Sequence, residues 1–196
     1  MQEDTGMERF AVSARRLTAR EFLRIPEDGK RHELIDGVHY VTPSPNVRHQ
    51  ELVGRLHLSM GTFLESRPHL GRIFLPLDVV LSDHDVLEPD LLLVAADQQG
   101  ILTKANLQGP PALAIEVLSP STRMRDELVK RRLFDERGAR EYWLVDPWDR
   151  RVTVFRRAAD GSFPQVASLE ASAGARLETP LLPGWSLPME ELFAER

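Results

Sequence analysis

The sequence contains no cysteine, which excludes disulfide bonds and thiolate metal sites and is typical of proteins in a reducing compartment. It has no apolar run approaching the ~20 residues that a membrane-spanning helix needs. Its N-terminus also lacks the apolar segment of a signal peptide. We therefore expect a soluble, cytoplasmic protein with no membrane partner.

Lysine is scarce, since it occurs only at Lys30, Lys104 and Lys130, and the formal net charge of the chain is -5 at pH 7. This balance argues against a broadly basic surface for non-specific nucleic-acid binding, but it leaves room for a local basic cleft. A lysine at a special position therefore stands out.

The length of 196 residues favours one domain, which is large enough to bury a hydrophobic core without disulfide bonds or structural metal ions. We expect a flexible N-terminal tail over residues 1–16 and a single domain over 17–196. Periodicity and turn residues predict a hairpin over 31–41, helices over 47–66 and 123–137, and strands over 71–81, 91–94, 112–118, 141–145 and 152–156. The order predicts a mixed α/β (α+β) fold in which helices flank a mixed central sheet.

Three residues carry the chemistry that the sequence indicates. Asp90 follows a proline at the start of one predicted strand, and Glu116 is a charge inside an apolar strand. Burying an unpaired carboxylate is costly, so something must compensate Glu116. Lys130 lies on the next helix, on one face with Asp126, and a short loop allows that helix to fold back over the strand.

Two carboxylates on neighbouring strands, with a backbone carbonyl at Val117 and water, suit the oxygen ligands of Mg²⁺ or Mn²⁺. Such an ion would activate water for attack on a phosphate, and the lysine would hold the water or the phosphate oxygens. Each residue also has a simpler explanation. Asp90 could be a turn residue, Glu116 could pair with a buried arginine or with Lys130, and Lys130 could be solvated.

A longer pattern surrounds these residues and resembles the Uma-two family of predicted restriction endonucleases, within the PD-(D/E)XK nuclease superfamily. The residues that carry the resemblance are Glu33-Leu34-Ile35-Asp36-Gly37, His49, Pro89-Asp90, Ile115 to Thr122, Asp126, Lys130, Phe134, Gly138 and Glu141 to Asp146. The resemblance covers about residues 18–192. It implies a restriction-endonuclease-like fold and a metal-dependent phosphodiesterase site with Asp90, Glu116 and Lys130 as its catalytic residues.

The sequence departs from the superfamily pattern at Leu118. That position, two residues beyond the strand carboxylate, usually holds the lysine, and here it is apolar. The resemblance implies that Lys130 takes this role from the helix. Phe134 also stands where the family tends to have tyrosine.

Three further residues are candidates for supporting roles. Glu33 could ligate a metal or orient water, or it could be an ordinary strand glutamate. His49 could hydrogen-bond a phosphate or assist proton transfer, or simply sit at a helix N-terminus. Asp78 lies in an apolar segment and invites the same question as Glu116, so we expect it near the site, either as a metal ligand or as a group that supports the ligands.

We therefore predict a metal-dependent endonuclease that acts on DNA in preference to RNA. One alternative is a catalytically inactive binding or regulatory protein that keeps the nuclease fold. A second is an oligomeric scaffold that uses the apolar segment over 180–193 as its interface. We expect a homodimer, which is the commonest assembly and suits an enzyme that must cut two strands.

Overall fold

The computed structural model describes residues 15–172 and 174–195. Its α-helices are α1 (Ala19–Phe22), α2 (Val47–Glu65), α3 (Arg131–Glu136) and α4 (Met189–Leu192), with a 3₁₀ helix over Ala96–Ile101 and a π-helix over Arg125–Lys130. Its strands are β1 (Arg31–Ile35), β2 (Val38–Thr42), β3 (Gly71–Phe74), β4 (Val79–Ser82), β5 (Asp85–Leu87), β6 (Leu91–Ala95), β7 (Leu107–Gln108), β8 (Leu113–Val117), β9 (Glu141–Asp146), β10 (Arg151–Arg156), β11 (Gln165–Glu170), β12 (Arg176–Glu178) and β13 (Ser186–Pro188).

A six-stranded mixed sheet in the order β11-β10-β9-β8-β6-β3 forms the centre of the fold. The β8–β9 pair is parallel, and the β6–β8 pair is antiparallel with Ile115 opposite Leu91. The predicted mixed α/β fold is confirmed, and β6, β8 and β9 lie in one sheet as expected.

A second sheet, in the order β2-β1-β5-β4-β7, carries the N-terminal hairpin. The hairpin turns at Asp36 and Gly37, whose φ angles of 51° and 74° are those of the tight turn that matches strand twist. The segment over 71–81 was expected to be one β-like stretch with an interruption at Pro76. It forms two strands in different sheets, and Asp78 lies just before β4.

The central sheet is buried on both faces, because its side chains alternate between two hydrophobic clusters. On one face, Ile115 and Trp143 pack with α2 and the C-terminal segment. On the other face, Ala114, Leu118 and Tyr142 pack with residues of the second sheet and of the helix over 125–136. Glu116 in β8 lies two residues after Ala114 and two before Leu118, so it belongs to this second face.

The C-terminal segment covers the central sheet of its own chain. Leu182, Trp185, Leu187 and Met189 join the cluster around α2, and the Trp185 ring stacks on another tryptophan ring of β9 at a centroid distance of 6.1 Å. The apolar residues that the sequence offered as an oligomer interface are therefore largely used within the fold.

Two further expectations concern the ends of the chain and membranes. Most of the predicted flexible tail, residues 1–14, lies outside the described residues, while Arg16 Nε donates to the Asp36 carbonyl oxygen at 2.9 Å. Within the described ranges, no helix has the length and apolar character needed to cross a membrane.

Candidate active site

Glu116 and Lys130 meet through a tight turn after β8. The Ser119 carbonyl accepts the N–H groups of Thr122 and Arg123 at 3.2 and 2.9 Å, which reverses the chain. The following helix then runs back beside the strand, and Lys130 Nζ lies 2.9 Å from Glu116 Oε1. The structure thus brings the helix lysine to the strand carboxylate, and both side chains are buried.

Lys130 is surrounded by three carboxylates. Its Nζ atom lies 2.7 Å from Glu33 Oε1, 2.9 Å from Glu116 Oε1 and 3.1 Å from Asp126 Oδ1. Burial alone would lower the pKa of the ammonium, but these three partners raise it well above its ordinary value, so the lysine is charged. Burial in turn raises the pKa of Glu116 well above normal, and the neighbouring carboxylates add to this effect against the attraction of Lys130.

The helix that carries Lys130 is not a regular α-helix at this point. Residues Arg125–Lys130 form a π-helix, which continues into α3. π-Helical turns are rare in proteins as a whole, and those that occur are often found at functional sites. The sequence predicted a helix here, but its periodicity carried no sign of the π conformation.

Asp90 lies directly before β6 with 2% of its surface exposed. Its Oδ2 atom accepts the Val117 N–H at 2.8 Å and lies 3.0 Å from His49 Nε2, while Oδ1 lies 2.6 Å from Arg31 Nη1. Burial would raise the pKa of Asp90, but the contacts with His49 and Arg31 lower it to about 2. The carboxylate is therefore ionised at neutral pH.

Sequence reasoning missed Arg31. The signal that could have found it is the period of two in a strand, because Arg31 and Glu33 lie two residues apart in β1 and point to the same face. Burial alone would lower the pKa of Arg31, but the charges of Asp90 and Glu116 raise it above its ordinary value.

His49 sits in the first turn of α2, where its backbone N–H donates to the capping side chain of Asn46 at 2.9 Å. It is 7% exposed, and its Nε2 atom contacts Asp90. Its Nδ1 atom is buried and has no hydrogen-bond partner among the residues that the structure describes. His49 is therefore placed at the site, with one ring nitrogen still available.

The remaining sequence candidates are placed less centrally. Asp78 does not line the site cavity, although Glu33 is close enough to contribute to the raised pKa that burial gives Asp78. Of the arginines on the helix, Arg123 pairs with Asp146 at 2.6 Å and Arg125 pairs with Glu33 at 3.3 Å.

Asp90, Glu116 and Lys130 line one cavity of about 170 Å³. The segments over 42–46 and 119–122 also line it. Its charged lining comprises four carboxylates and two permanent cations, which are Glu33, Asp90, Glu116, Asp126, Arg31 and Lys130. Negative charge is therefore in excess inside a confined space.

That excess bears on whether the residues suit a divalent cation. The donor set consists of carboxylates with a backbone carbonyl, which are the ligands that Mg²⁺ and Mn²⁺ prefer. The residues present therefore fit such an ion by their donor chemistry. Within the described part of the chain, no group of three or more histidine, aspartate or glutamate side chains is arranged to hold a metal ion.

Comparisons with known proteins bear on the fold and on the family of this chain. A crystal structure of a "putative nuclease belonging to DUF820" from Anabaena variabilis ATCC 29413 matches with a TM-score of 0.76 and 21% sequence identity, covering 90% of this chain and 97% of that one. At this identity the match shows the fold. No curated protein matches the sequence.

A family model covers nearly the whole domain. The Uma2 model, described as "Putative restriction endonuclease", matches residues 19–190. That range includes β1, β6 and β8, which carry or directly follow site residues, the π-helix over Arg125–Lys130, and Asn46, which caps α2. The chain therefore belongs to the Uma2 family of restriction-endonuclease-like proteins.

Proposed function

We propose that this protein is a metal-dependent endonuclease that hydrolyses phosphodiester bonds of DNA. The observation that supports the proposal is the meeting of Asp90, Glu116 and Lys130 at one cavity, although they come from β6, β8 and the following helix. Two carboxylates can hold a metal ion that activates water, and a cation beside them can stabilise the charge that grows on an attacked phosphate.

In this proposal the carboxylates of Asp90 and Glu116, with the Val117 carbonyl, hold Mg²⁺ or Mn²⁺. The ion supplies a water of lowered pKa and an electrophile for the phosphate oxygens. The raised pKa of Glu116 supports its assignment as a ligand, since burial and its carboxylate neighbours leave it short of positive charge.

Lys130 stabilises the charge that grows on the attacked phosphate. Its ammonium has three hydrogens and three carboxylate partners. If Glu116 held a metal ion, one of these hydrogens would be left for the attacking water or a phosphate oxygen. Glu33 and Asp126 then keep the ammonium in place and charged.

His49 and Glu33 support this centre. The Nε2 contact of His49 holds the Asp90 carboxylate in place. Glu33 Oε1 accepts the Glu88 N–H at 3.1 Å, which ties β1 to the segment before Asp90. Asp78 acts only through the local field, because it does not line the cavity.

We further propose DNA as the substrate in preference to RNA, and a homodimer as the working assembly. A twofold assembly presents two such sites to two antiparallel strands. A monomeric mass by light scattering at micromolar concentration would refute the dimer.

One observation favours a second candidate, a binding or regulatory protein that has kept the fold without activity. Lys130 is satisfied by three carboxylates, and Leu118 is part of the hydrophobic core where the superfamily has its lysine. In that case the cluster would serve only to hold β1, β8 and the helix together.

A plasmid assay separates the two candidates. Supercoiled DNA is incubated with the protein in Mg²⁺ or Mn²⁺, beside the variants Glu116→Gln and Glu170→Gln. Glu170 pairs with Arg151 at the surface and controls for a change of charge alone. We expect nicked and linear DNA with the parent and Glu170→Gln but not with Glu116→Gln. Equal cleavage by all three, or by none, would contradict the proposal.

A further inference from the structure

Arg31 contacts a carboxylate oxygen of Asp90 that the proposed metal ion would also need as a ligand. Arg31 Nη1 lies 2.6 Å from Asp90 Oδ1, and Nη2 of the same guanidinium donates to the Glu88 carbonyl oxygen. Its side chain is 21% exposed and lines the cavity. Arg31 is thus anchored on one side by backbone and on the other by a carboxylate.

The other oxygen of Asp90 is also engaged. Oδ2 accepts the Val117 N–H and contacts His49 Nε2. A divalent ion that takes Asp90 as a ligand therefore meets either the guanidinium on Oδ1 or the two donors on Oδ2. The guanidinium is the partner with room to move, since it is part-exposed while the strand N–H is fixed.

We propose that Arg31 is a positioning residue that moves between Asp90 and the phosphate of the substrate. On Asp90 it competes with the metal ion for Oδ1 and lowers the affinity of the free protein for that ion. A phosphodiester in the cavity draws the guanidinium away and releases Oδ1 for the metal. This inference rests on the proposed function.

The chemistry of the side chain suits this exchange. A guanidinium binds carboxylate and phosphate with the same planar fork of donors, so both are natural partners. Glu88 holds it near the cavity in either position, because the bond to the Glu88 carbonyl oxygen does not involve Asp90. Linkage then requires that the metal ion and DNA each raise the affinity for the other by the same factor.

Arg125 provides a matched control. Its side chain is 20% exposed, and it pairs with the Glu33 side chain, which is 3% exposed. The Arg31–Asp90 pair is alike, with side-chain exposures of 21% and 3%. Both arginines border the same cluster of carboxylates. They differ in that Arg31 contacts a proposed metal ligand, whereas Arg125 contacts a supporting residue.

The experiment measures the affinity for Mn²⁺ by titration calorimetry on the full chain without DNA. We expect Arg31→Gln to bind the ion about ten-fold more tightly than the parent, within the usual range of coupling between sites. Arg125→Gln should change the affinity much less. Arg31→Lys, which keeps the charge, should bind the ion nearly as the parent does, and circular dichroism checks that each variant folds.

A second titration uses a short duplex DNA with Ca²⁺ as the oxygen-seeking ion. The ion should improve DNA binding by the parent, and this gain should vanish in both Arg31→Gln and Arg31→Lys, since an ammonium does not replace the planar fork. Ion binding that depends on Asp90 but is equal or weaker in Arg31→Gln would overturn the inference and leave the proposed function standing. No ion binding by the parent or by Arg31→Gln would overturn both.

Discussion

Lys130 Nζ lies 2.9 Å from Glu116 Oε1, although 14 residues separate the two in the chain. The pair joins a central strand to the helix that follows it, and it lies at the wall of a cavity that Asp90 also lines. A lysine two residues beyond the strand carboxylate would lie on the same face of β8. Leu118 fills that place with core packing, and the helix returns the cation to the same carboxylate.

Removing the lysine tests both catalysis and folding. We expect Lys130→Ala to abolish cleavage, because no other cation contacts Glu116 in the described part of the chain. We also expect it to lower the free energy of unfolding by about 3–5 kcal/mol, since it leaves buried carboxylates without a partner. Plasmid cleavage at low temperature and urea denaturation measure the two effects.

The control for this change is Arg132→Ala. Arg132 forms an exposed pair with Glu136 one turn away, so its loss should alter stability by less than about 1 kcal/mol and leave cleavage intact. A Lys130→Ala protein that cuts DNA as fast as the parent would show that Lys130 is not a catalytic residue.

The metal proposal predicts the behaviour of Asp90→Ala. Losing one of two carboxylate ligands should weaken Mg²⁺ or Mn²⁺ binding by at least about ten-fold, measured by calorimetry, and abolish cleavage. Asp97→Ala is the control, since Asp97 pairs with Arg140 at the surface. Unchanged ion affinity in Asp90→Ala would remove Asp90 from the site.

Glu88 makes stability depend on pH. Burial raises the pKa of Glu88 from 4.5 to about 7, so between these values the native state holds a proton that the unfolded chain has released. This residue therefore makes the protein less stable as pH rises from about 4.5 to about 7.

Glu88→Gln removes that contribution. The free energy of unfolding of Glu88→Gln relative to the parent should rise between pH 5 and 7.5, measured by urea denaturation with a chelator present. A difference that stays constant across this range would show that Glu88 is ionised in the folded protein at both pH values.

Two tryptophans test the cover that the C-terminal segment provides. Trp185 is 4% exposed and packs on the central sheet, whereas Trp148 is 52% exposed in the turn after β9. Trp185→Ala should cost about 3–5 kcal/mol of stability and Trp148→Ala about 0.5 kcal/mol or less. Similar melting temperatures for the two variants would contradict the packing role of the segment.

Much of the fold was predictable because its signals are local. The Asp36-Gly37 turn and the apolar strand around Glu116 each specify a conformation within a few residues. The division of residues 71–81 between two sheets was not predictable, because both halves are apolar and β-like. Their separation depends on which distant strands they pair with.

The sequence by itself determined the hydrophobic pattern, the order of the elements, the carboxylate of Asp90 at the start of a strand and the charge of Glu116 inside an apolar strand. These follow from local propensity and from the cost of burying charge. Only the tertiary structure decided that Lys130 has three carboxylate partners and that Arg31 contacts Asp90. Such contacts join residues from different strands and helices, so they depend on how two sheets and a helix pack together, which periodicity along the chain does not encode.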